Sequence, residues 1–107
     1  MTIVAGTLIR LTSNRLKAVF IIENVPMTFT ANVSPAIQPF VTYAVVLTFN
    51  NVNELTSRRS YNGRIGVGTL KLTLSNGPVI EGFIVNPPGV TPASNVNGTG
   101  TWNPEPN

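Results

Sequence analysis

An all-β fold is what this sequence predicts, as a single-domain β-sandwich or a small closed β-barrel of about seven to eight antiparallel strands. Three observations carry that reading. No window sustains the i, i+3, i+4, i+7 apolar spacing of an amphipathic helix. Apolar residues instead alternate with Thr or come in short runs of Val, Ile and Phe. Turn-forming residues, among them 9 Gly and 9 Pro, separate those runs. At 107 residues the chain fits one domain, residues 1–103, followed by the short Pro-rich tail 104–107.

Taken in order, Ile3 to Leu11 reads as a first strand and Leu16 to Glu23 as a second, joined at "TSNR". With Ser13-Asn14 at the tip, Leu11 faces Leu16, Ile9 faces Ala18 and Thr7 faces Phe20. Both faces of this hairpin are apolar near the middle, which places it centrally or under cover on both sides. Met27 to Val33 alternates cleanly, with Met27, Phe29, Ala31 and Val33 inward and Thr28, Thr30 and Asn32 outward. Pro26 and Pro35 bracket it, as expected of an edge strand. "SPAIQP" is a kinked connection. In the strand Phe40 to Phe49, period two puts Tyr43, Val45, Leu47 and Phe49 on one face. Asn50 to Asn62 is a polar connection with room for a short helical turn. After the strands Arg64 to Leu74 and Val79 to Val85, "NPPGVTPASNVNG" is a long loop, and "GTGTWN" a short last strand.

The best-specified stretch is "LTLSNGPVIEG", Leu72 to Gly82. A two-residue turn at Asn76-Gly77 would need Pro78 to donate a hydrogen bond, and proline has no N–H. A three-residue loop, Ser75-Asn76-Gly77, avoids this. It leaves Gly77 left-handed in a bulge, and its closing bonds use the Gly77 N–H and the Pro78 carbonyl. That register sets Leu72 across from Ile80 and Lys71 across from Glu81. An opposite-charge cross-strand pair contributes roughly 0.2–1 kcal/mol, so turn chemistry and pairing agree.

Composition narrows the chemistry. There is no Cys, no His and no Asp, and the carboxylate side chains are Glu23, Glu54, Glu81 and Glu105. Acid–base catalysis wants a group titrating near neutrality or a pair of converging carboxylates, and neither is legible. Four scattered Glu make no metal cluster, so neither metal nor cofactor is expected. "GRIGVG" precedes a strand, not a helix whose N-terminus holds phosphate, so its glycines read as a bend or close packing. Charged residues are 10% of the chain, against about 25% in an ordinary soluble domain. Such a surface is covered by neutral amides and hydroxyls, or by other copies of the chain.

Three groups of residues are candidates for binding. Val67, Val79, Phe83 and Val85 form an apolar patch on the outer face of the last hairpin, suited to self-association. Arg58, Arg59 and Arg64, with Tyr61 as a stacking face, collect in a segment without a carboxylate and suit an anion or a nucleic acid. Trp102 with Asn95, Asn97 and Asn103 has the components of a carbohydrate site, a ring to stack on and amides for hydroxyls. The function expected is therefore non-enzymatic: a structural or assembly β module that forms a homo-oligomer or docks to a larger particle. A lectin-like domain is the first alternative and a weak anion or nucleic-acid binder the second. No run reaches the ~18–20 apolar residues of a membrane span. The N-terminus lacks a basic leader, so the expected location is cytoplasmic, with a virion or other particle fitting the same composition.

Overall fold

The computed structural model describes residues 1–84, 90 and 92–104. Its strands are β1 (Thr2–Thr12), β2 (Arg15–Ile22), β3 (Val25–Asn32), β4 (Val41–Phe49), β5 (Arg58–Ile65), β6 (Thr69–Leu74), β7 (Val79–Phe83) and β8 (Ser94–Pro104). They close into a barrel in the order β1-β2-β3-β8-β5-β6-β7-β4, with every neighbouring pair antiparallel. The architecture is thus the barrel, not the sandwich. Two meanders, β1–β2–β3 and β5–β6–β7, are joined on one side by β4 and on the other by β8. Advancing every label by four strands returns the same cyclic order. Closure leaves no edge, which corrects the expectation for β3: it pairs with β2 and with β8.

The β6–β7 hairpin has the predicted form. Gly77 N–H donates to Leu74 O at 3.1 Å, Leu74 N–H donates to Pro78 O at 2.9 Å, and Gly77 sits at φ +119°. Leu72 faces Ile80 and Lys71 faces Glu81. Elsewhere, bulges alter the expected pairing. In β1–β2 the register slips between Arg10 and Thr12, so Leu8 faces Ala18 and Ile9 faces Lys17, while Leu11 is left exposed. In β4, Thr7 of β1 spans the step between Thr42 and Val45, so Tyr43 and Ala44 bulge. Tyr43 is thereby thrown outward and Thr42 inward, against the simple period-two assignment. Thr42 Oγ1 donates to Phe83 O and accepts from Ala44 N–H, which ties the bulge to β7. The connection after β4 ends sooner than expected: after a 3-10 turn at Val52–Glu54, Arg58 to Asn62 are already strand. The last strand is longer than expected, because Ser94 to Gly98 belong to β8, and Pro104 is its final residue, not part of a tail.

An eight-stranded barrel is just wide enough for side chains to fill, and this one is filled. Phe20, Leu47, Leu72 and Ile80 are almost wholly buried inside. Aromatic rings form the centre: Phe29 lies 4.8 Å from Trp102 and 6.3 Å edge-on from Tyr61, and Phe20 lies 6.5 Å from Trp102. A Cβ at Gly100 would come within 2.4 Å of the Phe29 ring, so the bare backbone there makes room for it. Segment 33–40 folds over one end of the barrel, where Ile37 N–H donates to Ser13 O at 2.9 Å and Arg10 N–H to Phe40 O at 3.0 Å. Leu55 closes the other end. It is held beneath the β6–β7 turn by Asn76 Nδ2, which donates to Glu54 O at 2.9 Å.

Candidate binding faces of the barrel

Because the inside is packed, any partner meets the outer face, and that face has two chemistries. On β1, β2, β4 and β7 the outward residues are chiefly apolar, among them Ile3, Ala5, Ile9, Ile21, Tyr43, Ala44, Val46, Val79 and Phe83, with Lys17 beside Ile9 and Glu81 between Val79 and Phe83. Ile3 is 62% exposed, Ile21 63%, Tyr43 77% and Phe83 63%, so these are open surface. Register sets Ala5 beside Val46, Ile3 beside Thr48, Thr48 beside Val79 and Ala44 beside Phe83, while Val46 faces Glu81 on β7. Beside Phe83 runs a groove of about 830 Å³, lined by Ala44, Val46, Val67 and Ala93 together with the charged Arg64, Lys71 and Glu81.

Outward residues of β3, β8, β5 and β6 are amides, hydroxyls and cations. Cross-strand pairs set Thr101 beside Arg58, Thr99 beside Ser60, Asn97 beside Asn62, and Asn95 beside Arg64. Lys71 stands across from Arg64 on the next strand. A shallow depression of about 460 Å³ lies here, lined by Asn62, Arg64, Lys71, Thr73, Asn95 and Asn97 together with parts of Gly63 and Val96.

Each predicted group fares differently. Val67, Val79 and Phe83 are on the outer surface as expected, and Val85 lies outside the described residues. The arginines sit on a strand, not a loop, so they do not converge. Arg58 and Arg64 point outward some 20 Å apart at ~3.3 Å per residue, whereas Arg59 alternates to the other side and donates from Nε to Thr56 O at 3.1 Å. Tyr61 is no stacking face: it is 4% exposed, and its hydroxyl donates to Asn32 O at 2.6 Å. Burial pushes the Tyr61 phenol well above its ordinary range. Trp102 is 3% exposed among Phe20 and Phe29, so it offers no ring to a sugar. Asn95, Asn97 and Asn103 do face outward. The fold therefore brings halves of two predicted sites together, the amides of β8 and the arginines of β5, and leaves both aromatic anchors in the core.

Sequence reasoning missed Asn62 and Thr73 in the polar depression, and Ile3, Ile21 and Tyr43 in the apolar face. The doubly apolar character of the first hairpin was the available signal for Ile3 and Ile21. Tyr43 had none, because the bulge inverts its side. Comparison with protein-family models, with curated proteins and with solved structures finds no match. Among the described residues no helix is long and apolar enough to cross a membrane. A barrel in lipid carries an apolar belt all the way round, whereas β5 and β8 present Arg, Asn, Ser and Thr.

Proposed function

We propose that this chain is a non-enzymatic assembly module whose apolar half, on β2, β1, β4 and β7, docks against a second copy of itself. The four large apolar side chains Ile3, Ile21, Tyr43 and Phe83, each more than half exposed on this half of the barrel, support this reading. A face of that size with so few charges is costly to leave in water, and such patches mark interaction surfaces. A second copy is favoured over an unrelated partner because the face is self-complementary: Phe83 projects beside a groove whose lining includes small Gly66, Ala44 and Ala93 and charges of both signs, Arg64, Lys71 and Glu81. A two-fold axis through this region lets each Phe83 enter the groove of the other protomer, the reciprocal contact that isologous dimers require. The scarcity of charge over the whole chain, 10% of residues, accords with a surface built partly for burial.

Burying a Phe side chain contributes about 1.5–3 kcal/mol. Phe83→Glu should therefore weaken association by about tenfold or more per copy and shift sedimentation velocity profiles to the monomer. Tyr43→Glu, at an independent position on the same face, should act in the same direction. A wild-type chain that sediments as a monomer at high concentration would overturn the reading.

A further inference from the structure

We infer that the opposite half of the barrel, the β5–β8 ladder, binds a linear acidic polysaccharide laid along the strands. This half meets the apolar face at Arg64 and Lys71, which line both the polar depression and the groove beside Phe83. Arg58 and Arg64 stand at the two ends of the ladder, with Ser60, Asn62, Thr99 and Asn97 between them. Two cations thus flank a row of short groups able both to donate and to accept hydrogen bonds. That pattern suits sugar hydroxyls interspersed with sulfate or carboxylate groups.

Two observations make the row an acceptor for anions rather than a solvated strand. Arg64 and Lys71 are directly opposed on neighbouring strands, and the one carboxylate of that row, Glu81 on β7, faces Lys71, so a single negative charge offsets two positive ones. Arg58, at the other end of the ladder, faces Thr101 and has no carboxylate across from it, and Glu54 Oε1 is taken by the Asn50 and Asn51 N–H groups at the barrel end. The Arg64 guanidinium is held in place by Asn95, with Nη1 donating to Oδ1 at 3.1 Å, which aims it over the depression.

The same face selects among polyanions. Every outward side chain of β5, β6 and β8 is non-aromatic, so a single-stranded nucleic acid finds no ring on which to stack its bases. The side chains around the depression are chiefly amides, hydroxyls and cations, among them Asn62, Thr73, Asn95, Asn97, Arg64 and Lys71. A ligand of hydroxyls and anionic groups matches that set.

The test uses heparin-derived oligosaccharides of increasing length, with mixed-sequence single-stranded DNA as competitor, by calorimetry at about 50 and 200 mM salt. Binding should strengthen with chain length and weaken with salt. Arg58→Ala and Arg64→Ala should each reduce affinity about tenfold, the loss expected for one charge-assisted contact. Arg15→Ala, which removes an equal charge from the exposed start of β2, should leave it unchanged. Asn62→Ala with Asn97→Ala should reduce affinity without altering the salt slope. The inference is overturned by no binding at the lower salt, by equal losses in Arg15→Ala, or by DNA binding as tightly through the same residues. Tyr43→Glu protein, altered on the apolar face away from Arg64 and Lys71, should retain the affinity for short oligosaccharides, which keeps this result separate from the oligomeric state.

Discussion

Tyr61 and Thr28 show how individual polar groups are treated in the wall of this barrel. The Tyr61 hydroxyl is buried and satisfied by Asn32 O. Its pKa is raised on folding by desolvation, so its contribution to stability is complete below the unfolded value near 10. As pH rises past that point the unfolded chain ionises first, and stability falls by up to ~1.4 kcal/mol per pH unit. Urea midpoints measured from pH ~8 to ~11 should show this alkaline loss in the wild type and a shallower one in Tyr61→Phe. At neutral pH that variant should be less stable by roughly 0.5–1.5 kcal/mol, from the lost hydrogen bond. Thr28 is the opposite case: it is 2% exposed, and its Oγ1 has no hydrogen-bond partner among the described residues. Thr28→Val keeps the shape and removes the orphaned hydroxyl, so it should stabilise by about 1 kcal/mol in the same assay.

Strand pairs differ in how strongly their own residues dictate register. In β6–β7 the missing N–H of Pro78, the glycine at position 77 and the Lys71–Glu81 pairing all demand one alignment, and that alignment forms. Gly77→Ala should cost about 1 kcal/mol or more in equilibrium unfolding, because a Cβ is strained at φ +119°. In β1–β2 no comparable constraint exists. Leu8, Ile9 and Leu11 are all apolar, so either parity offers the barrel a plausible inner face, and the bulge near Leu11 decides the matter only through neighbours distant in sequence. The bulge in β4 is likewise fixed from outside, by the Thr42 hydroxyl reaching Phe83 O on β7. Strand existence was legible from composition and alternation, whereas bulge positions depend on contacts that a local pattern does not contain. The same reason separates the candidate sites. Phe83 and Asn97 were readable as outward by period two, but the burial of Trp102 and Tyr61 follows from β8 entering between β3 and β5, which nothing local announces.

At the scale of the whole molecule, β4 and β8 each join one meander to the other, so neither meander has a wall without the other's partner strand. A cut between Thr56 and Ser57 would divide the chain into halves of equal strand number, each with its fourth strand required by the other. The halves should be poorly structured apart and should reconstitute when mixed, as a split protein does by fragment complementation. The molecule carries its own optical signal for that event. Its single tryptophan, Trp102, belongs to the second half, while the rings that bury it, Phe20 and Phe29, belong to the first. Mixing should therefore shift Trp102 emission to shorter wavelength with a concentration dependence that reads the affinity of the halves. No change in emission would mean that the halves cannot find each other once parted. The seam that closes one barrel is thus also an inducible switch, usable without any label.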